Sequence, residues 1–320
     1  MSSLNYRALV ATKEGFGKGM VKAGRKYPSV VGLGCDITAS VGMSYFAENF
    51  PKRFFSVGIA EQNAITMAAG MACDGKIPFV ASYATFIAMR TLDQIRVSVC
   101  YNHLPVKIGG AHAGISVGPD GATHQALEDI SALRALPNMV ILSPADATQT
   151  EKAVMAAIEQ YNGPVYIRYG REAVPDFTNP FESVEIGKSV VLTEGKHCGI
   201  IATGHLVWEA LLATEQLKQE GIFCTVVNMY SIKPVDEKTI IDVSKHTQCI
   251  VTAEEHQIIG GLGSAVCEVL ADNYPVPVKR IGMNNSFGES GKPAELMAKY
   301  GMNADAIVQA VHKVLVTKLK

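Results

Sequence analysis

The chain has 320 residues, of which 48% are apolar and 18% charged; this suits two globular domains and excludes a disordered protein. Its formal net charge of −1 excludes a broad nucleic-acid surface, which needs a basic excess. No apolar run reaches the ~18 residues that span a bilayer, and the N-terminus lacks an apolar signal core, so no membrane partner and a cytoplasmic location are expected.

In chain order, a helix is predicted over residues 5–26 and a strand over 30–33. The next strand, 54–57, runs through Gly58 into a small-residue helix over 61–73. Strand 78–83, helix 92–101 and strand 106–109 follow, and then a polar, Gly-rich segment holding His112, Asp120 and His124. Helix 125–135, strand 139–142, helix 147–161 with Asp146 as its N-cap, and strand 165–169 complete the first half. Residues 174–183 contain Pro175, Asn179 and Pro180, show no apolar period, and read as a linker. The alternation then restarts with strand 199–203, helix 206–220, strand 223–228 and strand 249–253. A helix opening at Gly261 to Gly263, strand 276–281 and two C-terminal helices end the chain. This pattern predicts an α/β fold of two three-layer domains with mainly parallel sheets, residues 1–178 and a smaller unit at 179–320.

The seven cysteines form no CxxC pair or metal-ligand spacing and are expected as free thiols, with no metal site. Three glycine groups (Gly15/Gly17/Gly19, Gly32/Gly34 and Gly260/Gly261/Gly263) fall short of a dinucleotide fingerprint, which needs G-x-G-x-x-G between a strand and a helix. The last of them suits close packing at a helix start.

Gly58-Ile59-Ala60-Glu61-Gln62 lies where a strand hands over to a helix, the edge at which open α/β sheets bind ligands. Glu61 is either a first-turn acid favoured by the helix dipole or a partly buried carboxylate that shares a proton with a cofactor nitrogen. A long Gly-rich loop carrying His112, Asp120 and His124 inside a compact domain points to function.

Three runs carry a resemblance: Gly58 to Gln62, Ser82-Tyr83-Ala84-Thr85-Phe86, and Asp120-Gly121-Ala122-Thr123-His124-Gln125. Together they resemble the pyrimidine-binding domain of the transketolase family. Tyr230-Ser231-Ile232-Lys233-Pro234 and Glu254-Glu255-His256 are similar to that family's last domain. The resemblance implies thiamine diphosphate chemistry, with Glu61 hydrogen-bonding the aminopyrimidine ring and Phe86, with Tyr83 as a weaker candidate, giving it an aromatic face. It further implies Asp36 near the cofactor, Ser40 near a sugar phosphate, His112 and His124 on the donor carbonyl, and Asp120 on a substrate hydroxyl. Arg168 is matched to a phosphate-binding arginine, a role that suits a guanidinium.

Lys13 stands where the family usually has an arginine phosphate ligand, and Ala113-Gly114 follows His112 where many members have Asp-Ser. Both departures leave the terminal anion and the chain length open, so phosphorylated, sulfonated and unphosphorylated sugars are all expected candidates. The family's Gly-Asp-Gly motif, which holds the diphosphate and a divalent metal (Mg or Ca), is absent. The resemblance therefore implies the C-terminal subunit of a split transketolase, paired with an N-terminal subunit in a heterotetramer. The alternatives are a deoxyxylulose-phosphate synthase, a 2-oxo acid dehydrogenase beta subunit, a sulfosugar transketolase and a non-catalytic subunit. Joint presence of Glu61, His112 and His124 argues against the last.

Overall fold

The computed structural model describes residues 4–318. Its first half carries strands β1 (Leu9–Ala11), β2 (Val30–Gly34), β3 (Phe54–Ser56), β4 (Ile77–Tyr83), β5 (Lys107–Ala111), β6 (Val140–Leu142), β7 (Val165–Arg168) and β8 (Ala173–Pro175). Between them run helices α1 (Thr12–Lys26), α2 (Ser44–Asn49), α3 (Glu61–Cys73), α4 (Ala84–Met89), α5 (Leu92–Gln94), α6 (Asp129–Arg134) and α7 (Ala147–Glu159), and α5 continues as a π-helical turn over Ile95–Cys100. The second half alternates β9 (Val190–Thr193), β10 (Cys198–Ala202), α8 (Leu206–Gln219), β11 (Cys224–Asn228), β12 (Ser231–Lys233), α9 (Glu237–Thr247) and β13 (Ile250–Gln257). It closes with α10 (Leu262–Asn273), β14 (Val278–Met283), α11 (Pro293–Lys299) and α12 (Ala304–Lys318).

The larger sheet has seven strands in the order β12-β6-β7-β5-β4-β2-β3, all parallel except β12. The second has five, β14-β13-β10-β11-β9, with only β9 antiparallel. Strands buried on both faces demand continuous apolar runs, and β2, β5, β10 and β11 are buried throughout. On one side of the larger sheet, α3 packs Ala64, Ile65 and Ala68 against Leu33, Val80 and Ile108. On the other, α1 and α7 pack Phe16, Met20 and Val154 against Phe79 and Ile167. Each fully buried Phe, Leu or Ile contributes roughly 1.5–3 kcal/mol. α8 and α12 cover one face of the smaller sheet, α9 and α10 the other.

Three expectations need correction, and one strand was not expected. The helix predicted over 5–26 begins only at Thr12, because β1 pairs antiparallel with β8. That pairing also converts the start of the expected linker into a strand, and Asp146 anchors the residues just beyond β8 by accepting the Phe177 and Thr178 N–H groups at 2.8 and 2.6 Å. The helix predicted over 125–135 shrinks to α6, because Leu127 is drawn into the core of the second half. Finally, β12 crosses between the halves to cap the first sheet through β6.

The glycine groups have packing explanations. A Cβ on Gly15 would lie 2.0 Å from the Ala147 carbonyl oxygen, so α1 and α7 touch backbone to backbone. Near Gly261, the buried Glu254 carboxylate accepts the Leu262 and Gly263 N–H groups at 2.7 and 2.8 Å, capping α10. All seven cysteines are free. No helix among the described residues is long and apolar enough to cross a membrane.

Candidate active site

The carboxyl ends of β2 to β5 bring most of the singled-out residues to one edge of the seven-stranded sheet, the position at which open α/β sheets bind ligands. Glu61 opens α3 and is only 2% exposed. Its Oε1 accepts the Ser82 hydroxyl at 2.9 Å and its Oε2 meets Arg90 Nη1 at 3.0 Å. The helix dipole and these two donors offset the cost of burying its charge.

Phe86 lies in α4, just beyond β4. The Arg90 guanidinium stacks 4.3 Å from its ring centroid, so one flat hydrogen-bonding group already touches both the Phe86 face and Glu61. Tyr83 meets the His112 ring edge-on at 4.3 Å, and His124 lies 5.2 Å from Phe86 and 6.0 Å from Tyr83. Four of the expected residues thus form one aromatic cluster beside the carboxylate.

His112 follows β5 in a left-handed backbone conformation (φ 52°), a strain that a β-strand end tolerates at a functional position. It is buried, and its Nδ1 has no hydrogen-bond partner. Burial, with the Arg171 and Lys13 cations nearby, lowers its pKa to about 4, so the ring is neutral near pH 7. His124 shares a 2.9 Å hydrogen bond between its Nδ1 and the Thr123 hydroxyl. Asp36, also left-handed (φ 64°), accepts the Ser56 hydroxyl at 2.9 Å and ties the end of β2 to β3. Ser40 is half-buried in the turn between β2 and α2, and Lys13 is half-buried in the first turn of α1.

Arg168 departs from its expected role. Its side chain is 6% exposed, and its Nε donates to Asp129 Oδ2 at 2.8 Å. Its Nη2 donates to the carbonyls of Ala126 and Glu255 at 3.0 and 2.9 Å. The alternation of β7 puts Arg168 on the same face as Tyr166, which donates to Asp129 at 2.7 Å. The guanidinium is committed to that network. The cation at the site is instead Arg171, two residues beyond Tyr169, whose Nη1 contacts both oxygens of Asp120 at 3.1 and 3.2 Å.

Arg171 and Arg90 escaped the sequence reading. A cation just past the end of β7 was the available signal for the first. For Arg90 it was an arginine one turn after Phe86, on the same helical face.

Glu61 and the Phe86 ring offer what an aminopyrimidine needs, a hydrogen-bonding carboxyl beside an aromatic face, and Arg90 occupies both here. Among the described residues, no three His, Cys, Asp or Glu side chains gather to hold a metal ion.

A buried acid, an aromatic face and a histidine loop thus share one edge of the larger sheet. Residues 8–176 match the model of the transketolase pyrimidine-binding domain and residues 187–307 that of the transketolase C-terminal domain. The chain belongs to the transketolase family.

It is 45% identical over 302 residues to a protein of Methanocaldococcus jannaschii provisionally named a transketolase C-terminal section, covering 93% of this chain and 94% of that one. It is 39% identical over 295 residues to the 6-deoxy-6-sulfo-D-fructose transketolase subunit of Clostridium sp. strain MSTE9, covering 92% and 91%. A solved structure described as a split gene transketolase, an inactive beta4 tetramer, superposes with a TM-score of 0.91 at 47% identity, covering 97% of this chain and 99% of that one. The 1-deoxy-D-xylulose-5-phosphate synthase of Syntrophus aciditrophicus is 40% identical over 305 residues, 94% of this chain but 46% of its own length.

Proposed function

We propose that this chain is the C-terminal subunit of a thiamine diphosphate-dependent transketolase that moves a two-carbon ketol unit from a ketose, phosphorylated by preference, to an aldose. One observation carries the reading: a buried Glu61 beside the Phe86 face, with His112 and His124 at its edge. An N-terminal subunit would hold the diphosphate and a Mg or Ca ion through a Gly-Asp-Gly motif, in a cytoplasmic heterotetramer with two copies of each chain. Relatives support the division: one is by name a transketolase subunit, and another is a split gene product described as an inactive beta4 tetramer.

Glu61 would exchange Arg90 for the pyrimidine ring and hold a proton at its Oε2, while Phe86 and Tyr83 orient the ring. Bound thiamine diphosphate supplies the carbon nucleophile that the protein itself lacks. The neutral His112 would hydrogen-bond the donor carbonyl oxygen without bringing a charge, and His124 would do the same. Asp120 would bond a substrate hydroxyl, Asp36 would lie near the cofactor, Ser40 would lie near the sugar phosphate, and Lys13 with Arg171 would face the terminal anion. We place the functional division of the chain at residues 178 and 179.

The sulfosugar relative and the two rim cations also support a sulfonated ketose as donor, since either anion satisfies Lys13 and Arg171. Assaying the complete two-subunit enzyme with a ketose phosphate, its sulfonate analogue and pyruvate separates the readings. Transfer from a ketose phosphate without pyruvate consumption is the expected result. Pyruvate consumption would reassign the chain to the synthase class.

A further inference from the structure

The loop from His112 to Gln125 carries three of the residues given roles above, yet the second half of the chain supplies much of what holds it. Its beginning is tied to the first domain, where the Ala113 and Gly114 N–H groups donate to Tyr169 and Ala126 carbonyls at 3.2 and 2.9 Å. Farther along, Ile115 is buried in the core under α8 and α12. Gln125 Nε2 donates to the Ile115 and Glu289 carbonyls at 3.2 and 2.9 Å, and the Gln257 N–H donates to Leu127 at 2.8 Å.

One charged contact stands out. Glu255, in β13, is 4% exposed. Its Oε1 accepts the Ser116 N–H at 2.5 Å, and its Oε2 lies 3.2 Å from His205 Nδ1, just ahead of α8. It also presses on Gly114, where a Cβ would fall 2.2 Å from Glu255 Cδ and where the backbone is left-handed (φ +87°). A cavity of about 30 Å³ beside it, lined by Thr12, Ser116, Arg168 and His205, has room for a water or two and no more.

A carboxylate taken out of water at a domain boundary is costly unless its oxygens are bonded. Here one oxygen is bonded to the backbone of the loop that carries His112.

We infer that Glu255 is a positioning residue: held by His205, it fixes the backbone at Gly114 to Val117 through Ser116 and so sets His112 in the site. The second domain then acts as a brace for the histidine loop of the first. The catalytic consequence rests on the function proposed above, whereas the positioning of His112 does not, and the test keeps the two apart.

The first arm uses the full chain alone and follows His112 by histidine side-chain NMR across pH, its signal assigned with His112→Asn. The charged groups facing the ring are Arg171, Lys13, Asp120 and His124, and none is altered by a change at residue 255. In the parent chain the His112 midpoint lies at about 4. Glu255→Ala should raise it by about one unit or more, as the loosened loop lets water reach the ring. Loss of the Glu255 charge alone would push the midpoint down, so a rise isolates the loop. Glu255→Asp, which keeps the charge but is one methylene too short, should show the same rise and serves if the alanine variant does not fold. Glu255→Gln keeps an acceptor for the Ser116 N–H and should stay near the parent value.

In the complete enzyme, Glu255→Ala should lower kcat about 10- to 100-fold with thiamine diphosphate affinity unchanged, and Glu255→Gln should restore most of it. An unmoved His112 midpoint in the alanine and aspartate variants would overturn the inference. A moved midpoint with unchanged kcat would support the positioning and count against the catalytic role of His112.

Discussion

At the residue scale, the site depends on two buried groups, the Glu61 carboxyl bonded to two donors and a neutral His112. Removing Glu61 leaves Arg90 without its partner and Ser82 without its acceptor, but Arg90 is half-exposed and regains water. Glu61→Ala should therefore cost about 1–3 kcal/mol, through the buried Ser82 hydroxyl, and lower ketol transfer by at least about 100-fold at saturating cofactor, measured in the complete enzyme; near-normal turnover would remove the assigned role.

His112 gives a prediction about pH. Its folded pKa of about 4 lies below the ordinary 6.5, so between those values the unfolded chain binds more protons. The neutral ring's stability is fully present above about 6.5 and falls as pH drops toward 4, by at most about 3 kcal/mol. Other buried groups titrate across that span. His256, lowered to about 4 by burial, acts in the same direction, and Glu254, raised to about 7 by burial, acts in the opposite one. The difference between the parent and His112→Asn in denaturation midpoint from pH 7 to 4 isolates the residue, and the variant should show the shallower fall.

At the element scale, α3 was legible to its last residue, because Glu61 to Cys73 is a run of mostly small and unbranched residues, β-branched only at Ile65 and Thr66, with an acid at its start. β1 and β12 were not, since three residues carry no period and their pairing partners lie far away in sequence. The arginines mark the boundary most clearly. Arg168 and Arg171 both end an apolar strand pattern, and only the alternation of β7, set against Asp129 across the sheet face, decides which is buried. The aromatic cluster and its acid were readable from motif order; the contacts of Arg90, Arg171 and Glu255 depend on tertiary geometry that no local pattern encodes. The contact between α1 and α7 is testable on its own. Gly15→Ala would drive a methyl group onto the Ala147 carbonyl, and backbone has little room to yield. A loss of about 1–3 kcal/mol in denaturant unfolding is expected; an unchanged midpoint would mean the helices separate freely.

At the scale of the whole molecule, the sheets meet along the histidine loop, so the second domain completes the first instead of trailing behind it. The proposed partner would do the same for the cofactor, holding its diphosphate and metal. The most direct test of this division is ketol transfer at saturating thiamine diphosphate and magnesium by the purified chain, with and without the N-terminal subunit. The chain should be folded and inactive alone and should turn over a ketose phosphate once the partner is added. Turnover by the chain alone, or none from the pair, would contradict it.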